Sequence, residues 1–219
     1  CTNGQDRMLD YRHPKNTNIL SISNFCRDEF NTHYGKKYTR FNNKLILHPS
    51  ELKEIEYKKK FNTTPVVLGN WKDNNKGRLL IPYLMKHIPN FQFQQLSCNF
   101  NHVSVNGIEE FNDHKQQIYN NADIFLQISV CEGNSYATLD ALLCGLPIVA
   151  SNVGLFYRDV PEDCFVKIDW KRNGDVEYVT EKLKYAWTYR EQLSKKAREW
   201  YINNCRYSTW KKQIKQLCS

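Results

Sequence analysis

From about residue 65 onward, the sequence alternates short apolar runs with longer stretches of helical periodicity. The apolar runs are rich in β-branched residues and do not alternate with polar ones, which is typical of strands covered on both faces, as in a parallel sheet. The longer stretches repeat apolar residues at intervals of three and four, which predicts amphipathic helices. This alternation predicts an α/β domain with a Rossmann-like, doubly wound parallel sheet.

The individual elements of this domain follow from the same pattern. Strands are predicted over residues 65–69, 91–96, 102–106, 123–129, 147–151 and 164–168. Helices are predicted over residues 76–87, 113–121 and 135–144, and the chain from residue 175 to residue 219 is predicted to be wholly helical. Gly145 is expected to end the third helix in the left-handed conformation. Three tryptophans are expected to pack the C-terminal helices, namely Trp187, Trp200 and Trp210.

The beginning of the chain has a different pattern. Residues 18–23 and 44–48 predict two strands around a helix over residues 25–34. This piece is too small for a second complete Rossmann domain. We therefore predict a small N-terminal appendage over residues 1–60 and one main domain, with its C-terminal helices, over residues 61–219.

Composition and chain start exclude several classes of protein. No apolar run approaches the roughly 20 residues of a transmembrane helix. The first residues lack the apolar stretch of a signal peptide and an initiator Met, so we expect an excised domain or a processed chain. The chain has eight cysteines but no CxxC pair, which argues against a disulfide framework and against a zinc site. We therefore expect a cytoplasmic protein. The bias toward Asn, Lys and Tyr suggests a viral genome, in which case the location would be the cytoplasm of the host cell. The net charge of +8 favours anionic partners, such as nucleic acid, acidic lipid or phosphorylated small molecules.

The segment that begins at Glu132 has the clearest chemical pattern. Glu132 and Gly133 lie in the predicted loop after a buried strand, and Asn134 or Ser135 is placed to cap the next helix. The free N–H groups of the first helical turn and the positive end of the helix dipole form a site for a phosphate. Asp140 lies roughly two turns further on and tilts back, so that its carboxylate can reach a ribose attached to that phosphate. Glu132, on the other side of the phosphate, can reach the hydroxyls of a sugar.

These residues resemble motifs of a known family. Glu132 and Asp140, followed by GLPIVAS at residues 145–151, resemble the E-x7-E signature and the G-x-P-V-V-A-S motif of retaining GT-B glycosyltransferases, family 4 in particular. Gly69-Asn70-Trp71 with Lys76-Gly77 resembles the glycine turn and phosphate-binding lysine of that family's donor domain. Further matches in the family's order are Val105-Asn106-Gly107, Tyr119 with Ala122-Asp123, and Asn152-Val153-Gly154. The resemblance covers about residues 65–170.

The resemblance implies the nucleotide-sugar-binding half of a GT-B enzyme, with Glu132 and Lys76 as catalytic residues. Glu132 would bind the transferred sugar near its reacting carbon, and Lys76 would neutralise charge on the leaving phosphate. The backbone after Gly133 would hold the diphosphate, Asp140 the ribose, and residues 105–107 the base. The implied donor-binding residues are Gly69, Asn70, Val105, Gly107, Gly133, Asn134, Ser135, Tyr136 and Asp140.

The implied reaction transfers a hexosyl or deoxyhexosyl group from a nucleoside diphosphate sugar to a glycan hydroxyl, with retention. UDP is preferred slightly over GDP, and neither a metal nor another cofactor is expected, in keeping with the lack of a D-x-D motif. The sequence departs from the family in two residues. Asp140 stands in place of a glutamate, and Asn70 stands where the family often has an arginine.

The largest departure is the length of the chain before the donor domain. Only about 60 residues precede it, and residues 18–25, 34–35 and 45–49 resemble the last strand–helix–strand of a GT-B acceptor domain. We expect the acceptor site to be rudimentary, supplied by another chain, or lost when a larger polypeptide was cut.

Three other functions remain open at this point. The chain would be a non-catalytic donor-binding subunit if a partner supplied the acceptor site. A nucleotide-sugar epimerase or phosphorylase could share the same architecture. A basic nucleic-acid-binding protein is disfavoured, because the sequence has neither stacking motifs nor a concentrated basic stripe. The histidines show no metal-ligand spacing and are expected to be structural or solvated, although His13 or His48 could face an acceptor.

Overall fold

A computed structural model describes residues 18–34, 42–54, 57, 59–96 and 107–218 of the chain. In chain order its elements are β1 (Asn18–Ser21), α1 (Asn24–Tyr34), β2 (Asn42–Leu45), β3 (Val66–Gly69), α2 (Ile81–His87), β4 (Gln92–Gln95), α3 (Gly107–Asn121), β5 (Ile124–Gln127), α4 (Tyr136–Leu143), β6 (Ile148–Ser151), β7 (Val166–Ile168), α5 (Val176–Thr188), α6 (Arg190–Asn204) and α7 (Tyr207–Cys218). Short 3₁₀ helices cover Asn74–Lys76, Gly154–Phe156 and Trp170–Arg172.

The main sheet has five strands in the order β4-β3-β5-β6-β7, and every pairing is parallel. β5 and β6 are buried at every residue, which explains why their sequences lack a polar alternation. The chain runs from β3 to one neighbour, β4, and then returns to the other, β5. The strand order therefore reverses between β3 and β5, and their carboxyl ends flank the crevice where open α/β sheets bind ligands. The predicted Rossmann-like α/β fold is confirmed.

Helices cover both faces of this sheet. On one face α4 and α6 pack a cluster that includes Leu139, Leu142 and Trp200, and on the other α2 and α5 pack Leu84 and Leu183. Burial of such side chains contributes about 1.5–3 kcal/mol each to stability. This arrangement fixes the sheet, and with it the loops at its carboxyl edge.

The C-terminal region is helical as predicted, and Trp200 and Trp187 pack as predicted, whereas the ring contact of Trp210 is with Tyr207 of its own helix, α7. Trp200 is buried, Trp187 packs against the α2–α5 side of the core, and the ring centroid of Trp210 lies 5.6 Å from that of Tyr207. Gly145 has φ +66° after α4, as its predicted capping role requires.

Some predicted boundaries are wrong. The helix predicted over residues 76–87 is divided, because Gly77 closes a 3₁₀ helix at φ +81° and α2 begins only at Ile81, with Pro82 in its first turn. Proline disfavours a helical conformation in the residue before it but is well suited to the start of a helix. α3 begins before the predicted residue 113, and the second N-terminal strand lies over residues 42–45. The strand predicted over residues 102–106 lies outside the described residues.

The N-terminal piece forms the predicted strand–helix–strand unit and packs on the main domain. β1 and β2 pair in parallel. The backbone N–H of Asn24 donates to Asp159 Oδ2 at 2.9 Å, and Leu52 is buried in the α4–α6 cluster. The division into domains at residue 60 stays a prediction. In the part of the chain that the structure describes, no helix has the length and apolar character needed to cross a bilayer.

Candidate active site

A narrow cleft opens at the carboxyl ends of β3 and β5. It lies where the strand order reverses. Residues after β3, residues after β5 and the residue just before α4 line the cleft. They include Asn70, Trp71, Lys76, Ser129, Glu132 and Ser135. The cleft therefore brings together four predicted site residues that are distant in sequence, and both predicted catalytic residues are among them.

Lys76 and Glu132 form an ion pair in this cleft. Lys76 Nζ lies 3.3 Å from Glu132 Oε1, and the side chains are 29% and 14% exposed. The hydroxyl of Ser129 donates to the same carboxylate oxygen at 3.1 Å. A cation and a carboxylate are thus held side by side where part of the surrounding water is excluded, which strengthens the interaction of either group with a charged ligand.

The loop after β3 is built to place Lys76. The carboxylate of Asp73 accepts a hydrogen bond from the Lys76 N–H at 3.1 Å. Gly77 packs so closely on Ile128 that a Cβ would lie 2.3 Å from Ile128 Cγ1. The N–H of Val130 donates to the Asn75 carbonyl at 2.9 Å, which ties the two loops together. The lysine is therefore fixed relative to the loop that carries Glu132.

The glycine turn after β3 has a packing role. A Cβ on Gly69 would lie 2.3 Å from the buried ring of Trp71, whose Nε1 donates to the Leu126 carbonyl at 3.1 Å. Asn70 lines the cleft, and its Oδ1 is buried without a hydrogen-bond partner among the described residues. Of these residues, Asn70 is the one that offers an unused acceptor at the cleft.

The start of α4 lies beside the cleft. Ser135 occupies the N-cap position in an extended conformation, but its side chain makes no capping bond among the described residues. Asn134 uses its Nδ2 to donate to the Ile22 carbonyl at 3.0 Å. The predicted position of the N-cap is confirmed. The prediction that the side chain of Asn134 or Ser135 caps the helix is wrong, since Ser135 makes no capping bond and Asn134 is bonded to the N-terminal piece. The first N–H groups of an α-helix have no partner within the helix, so an external acceptor can bind them.

Asp140 lies inside the protein rather than at the cleft surface. It is fully buried, with Lys115 Nζ 2.6 Å from Oδ2, and it accepts a hydrogen bond from Ser50 Oγ at Oδ1, also at 2.6 Å. Burial raises the pKa of Asp140, against the opposing effects of Lys115 and Ser50. A ribose hydroxyl would reach this carboxylate only by displacing one of its two partners.

Lys115 forms ion pairs with two carboxylates. Besides Asp140 it contacts Glu51, with Nζ 3.1 Å from Oε2. Burial acts to lower the pKa of Lys115, but the two carboxylates outweigh this effect and raise the pKa above its ordinary value. Sequence reasoning missed Lys115 and Ser50 as neighbours of Asp140. A signal was present for one of them, because Lys115 lies one helical turn before the buried Tyr119 and so on the buried face of α3.

The remaining predicted donor residues are spread around the cleft. Gly133 lies against the N-terminal piece, where a Cβ would be 3.3 Å from Cys26 Sγ. Tyr136 is 49% exposed, and its ring centroid lies 4.4 Å from that of His48. Gly107 is the first residue of α3, and Val105 lies outside the described residues. Within the described residues, no cluster of three or more His, Cys, Asp or Glu side chains is arranged to hold a metal ion.

Replacement of Gly154 by alanine is expected to disturb the loop that carries Glu132. Gly154 has φ +58°, and a Cβ would lie 2.8 Å from the Gly133 carbonyl oxygen and 3.0 Å from Glu132 Cβ. Backbone strain of this kind costs about 1–3 kcal/mol. We expect Gly154→Ala to lower Tm and to weaken ligand binding in the cleft, whereas Gly174→Ala should do neither, because a Cβ there has no neighbour within 4 Å. Equal Tm values and affinities for the two variants would contradict this account of the loop.

A family model matches the part of the chain that carries Glu132 and the start of α4, but its match begins after Lys76. Residues 83–174 match the family model described as Glycosyl transferases group 1. The matched part of the chain includes Glu132, Asp140 and the run at residues 145–151. This part of the chain is therefore similar to the group 1 glycosyltransferases. The predicted resemblance is confirmed, and the glycosyltransferase fold agrees with it. No curated protein sequence matches the chain.

Solved structures share the fold at low sequence identity. A sucrose-phosphate synthase from Thermosynechococcus elongatus is 18% identical with a TM-score of 0.65, and the match covers 91% of this chain and 57% of that one. A glycosyltransferase from Rickettsia africae is 12% identical with a TM-score of 0.69, over 99% of this chain and 66% of that one. Anabaena HepE, solved with UDP and glucose, is 14% identical with a TM-score of 0.65, over 91% and 62% of the two chains. The chain thus spans 57–66% of the length of these neighbours.

Proposed function

We propose that this chain binds a nucleoside diphosphate sugar at the cleft between β3 and β5 and transfers the sugar to a glycan hydroxyl. The observation that supports this most directly is the Lys76–Glu132 pair beside the start of α4. UDP is the proposed nucleotide and a hexose the proposed sugar. Both choices rest on structural neighbours, since HepE is solved with UDP and glucose and the pneumococcal transferase GtfA with UDP and GlcNAc.

The proposed chemistry assigns one task to each group in the cleft. The diphosphate accepts hydrogen bonds from the first N–H groups of α4, and the Lys76 ammonium neutralises the charge that grows on the leaving phosphate. A phosphate that binds Lys76 replaces the Glu132 carboxylate at Nζ, so Glu132 becomes free to accept a hydrogen bond from the sugar. The bond from the anomeric carbon to the diphosphate oxygen breaks, a bond to the acceptor oxygen forms on the same face, and the acceptor proton passes to the released diphosphate.

For the ribose we retain Asp140 as the proposed carboxylate. A ribose hydroxyl would take the place that Ser50 Oγ occupies in the free chain, 2.6 Å from Oδ1. Contact of the base with residues 105–107 also stays a proposal. Because Lys76 and the backbone amides supply the positive charge, no metal ion is assigned a role. A cytoplasmic location agrees with the lack of a disulfide among the described cysteines Cys26, Cys131, Cys144, Cys164 and Cys205.

A second candidate is a donor-binding subunit that transfers sugar only with a partner. It is favoured by one solved neighbour, the GtfA/B complex, which is an assembly of two proteins. The two candidates share the donor site and differ in the source of the acceptor site. An assay of the isolated chain distinguishes them: the first requires turnover of the donor alone, and the second requires binding without turnover.

Titration with UDP and with GDP tests the shared donor site. We expect saturable binding of at least one nucleotide, and we expect Lys76→Ala to weaken it by about tenfold or more, because a hydrogen bond to a charged group contributes about 1.5–3 kcal/mol. Lys86→Ala removes the same charge from the exposed last turn of α2 and should leave the affinity unchanged. Failure of the wild-type chain to bind either nucleotide would overturn the proposed function.

A further inference from the structure

We propose that His48 is a positioning residue of the donor site. The inference rests on the proposed function and extends it to the segment between β2 and the main domain. His48 Nε2 lies 3.1 Å from the Asn134 carbonyl oxygen, and the His48 ring contacts that of Tyr136 in a tilted arrangement, with centroids 4.4 Å apart and an interplanar angle of 46°. A single side chain of this segment therefore contacts both ends of residues 134–136, the backbone that is proposed to hold the diphosphate.

The contact with the Asn134 carbonyl orients the amide that follows it. The chain has no cis peptide bond among its described residues. In a planar trans peptide the carbonyl of residue 134 and the N–H of residue 135 point in opposite directions. With the carbonyl directed at His48, the Ser135 N–H is directed away from the segment that carries His48. Ser135 is itself one of the residues that line the cleft.

The same peptide is made a stronger donor by this contact. A carbonyl that accepts a hydrogen bond polarises its peptide group and strengthens the hydrogen bond that its N–H donates. Asn134 is also held from a second side by the bond from its Nδ2 to the Ile22 carbonyl, and it is only 7% exposed. Residues 134–136 are therefore fixed in place before a ligand arrives, which lowers the free-energy cost of binding an anion.

The chemistry of the imidazole indicates which replacements can substitute for it. Nδ1 lies 3.1 Å from the Pro49 carbonyl oxygen, so both ring nitrogens face oxygens that only accept hydrogen bonds. The bond to Asn134 therefore requires a hydrogen on Nε2. The side-chain amide of glutamine reaches about as far as Nε2, whereas that of asparagine, one methylene shorter, reaches only about as far as Nδ1. Phenylalanine keeps an aromatic ring for Tyr136 and has no donor.

The matched pair His48→Gln and His48→Asn tests the inference, with His48→Phe as a third variant. Affinities for UDP and for uridine are measured for each variant and for the wild-type chain, or for GDP and guanosine if the wild type prefers GDP. We expect His48→Asn and His48→Phe to weaken UDP binding about 5- to 10-fold, as loss of one hydrogen bond does. His48→Gln should stay within about threefold of the wild type. Uridine affinity should be the same throughout, because uridine has no diphosphate.

Other outcomes separate this inference from the proposed function. If the wild type binds UDP and the Asn and Phe variants bind it equally well, His48 has no positioning role. An equal loss in the Gln and Asn variants, or an equal loss for UDP and uridine, shows a general packing role instead and also overturns the inference. If the wild type binds neither UDP nor GDP, the proposed function itself fails. Tm values for each variant define a common temperature at which all are folded.

Discussion

Glu132→Gln is expected to lower the turnover number for sugar transfer by roughly 10²–10³. The replacement keeps the size of the side chain but removes its charge, and with it the interaction with Lys76 at 3.3 Å. UDP should bind at least as tightly as it does to the wild type, because UDP lacks the transferred sugar that Glu132 is proposed to bind and its diphosphate no longer has to displace a carboxylate from Lys76. Hydrolysis of UDP-glucose, with water as the acceptor, measures turnover without knowledge of the natural acceptor.

Glu162→Gln is the matched control for this experiment. Its side chain is 73% exposed and pairs with Lys167, away from the cleft residues. Turnover by this variant should equal that of the wild type. If Glu132→Gln retains wild-type turnover, Glu132 has no role in the reaction. If the wild-type chain binds UDP but does not turn over UDP-glucose, the chain is the donor-binding subunit of the second candidate function.

Asp140→Ala is expected to lower the free energy of unfolding by about 3–5 kcal/mol, because it leaves the buried Lys115 ammonium without its nearest partner. For a chain of this size, the corresponding fall in Tm is roughly 6–20 °C. Glu51 remains 3.1 Å from Lys115 and offsets part of the loss, so we expect the lower half of this range. Thermal unfolding followed by circular dichroism measures the effect.

Two further variants show how much of the fall in Tm comes from the unpaired buried charge of Lys115 and how much from the lost packing of Asp140. Addition of Lys115→Met to Asp140→Ala removes the unpaired charge and should restore part of the Tm. Asp163→Ala breaks an exposed pair, in which Lys196 Nζ lies 2.8 Å from Asp163 Oδ2, and should change Tm little. A Tm for Asp140→Ala within 2 °C of the wild type would contradict the structural role given to this pair.

Much of the fold is predictable because it depends on local patterns. The apolar runs of β5 and β6 have no polar alternation, and this follows directly from burial on both faces. Gly145 marks the end of α4 because few other residues adopt its conformation at low cost. The division of the predicted helix at residues 76–87 was also present in the sequence, since Gly77 and Pro82 both disfavour a continuous helix.

The candidate site was predictable only where the partners follow strands of the same sheet. Lys76 follows β3 and Glu132 follows β5, so parallel pairing alone brings their loops to one edge. The surroundings of Asp140 could not be predicted in this way. Its partners come from α3 and from the segment after β2, and helical spacing fixes the face on which Asp140 lies but not which distant side chains meet it.

A crystal structure of the chain with UDP is the most direct test of the donor site. We expect diphosphate oxygens within about 2.7–3.2 Å of the N–H of Ser135 or Tyr136. Lys76 Nζ should have left Glu132 to contact the same diphosphate. UDP bound outside the cleft between β3 and β5, or bound there with the Lys76–Glu132 pair intact, would contradict the account.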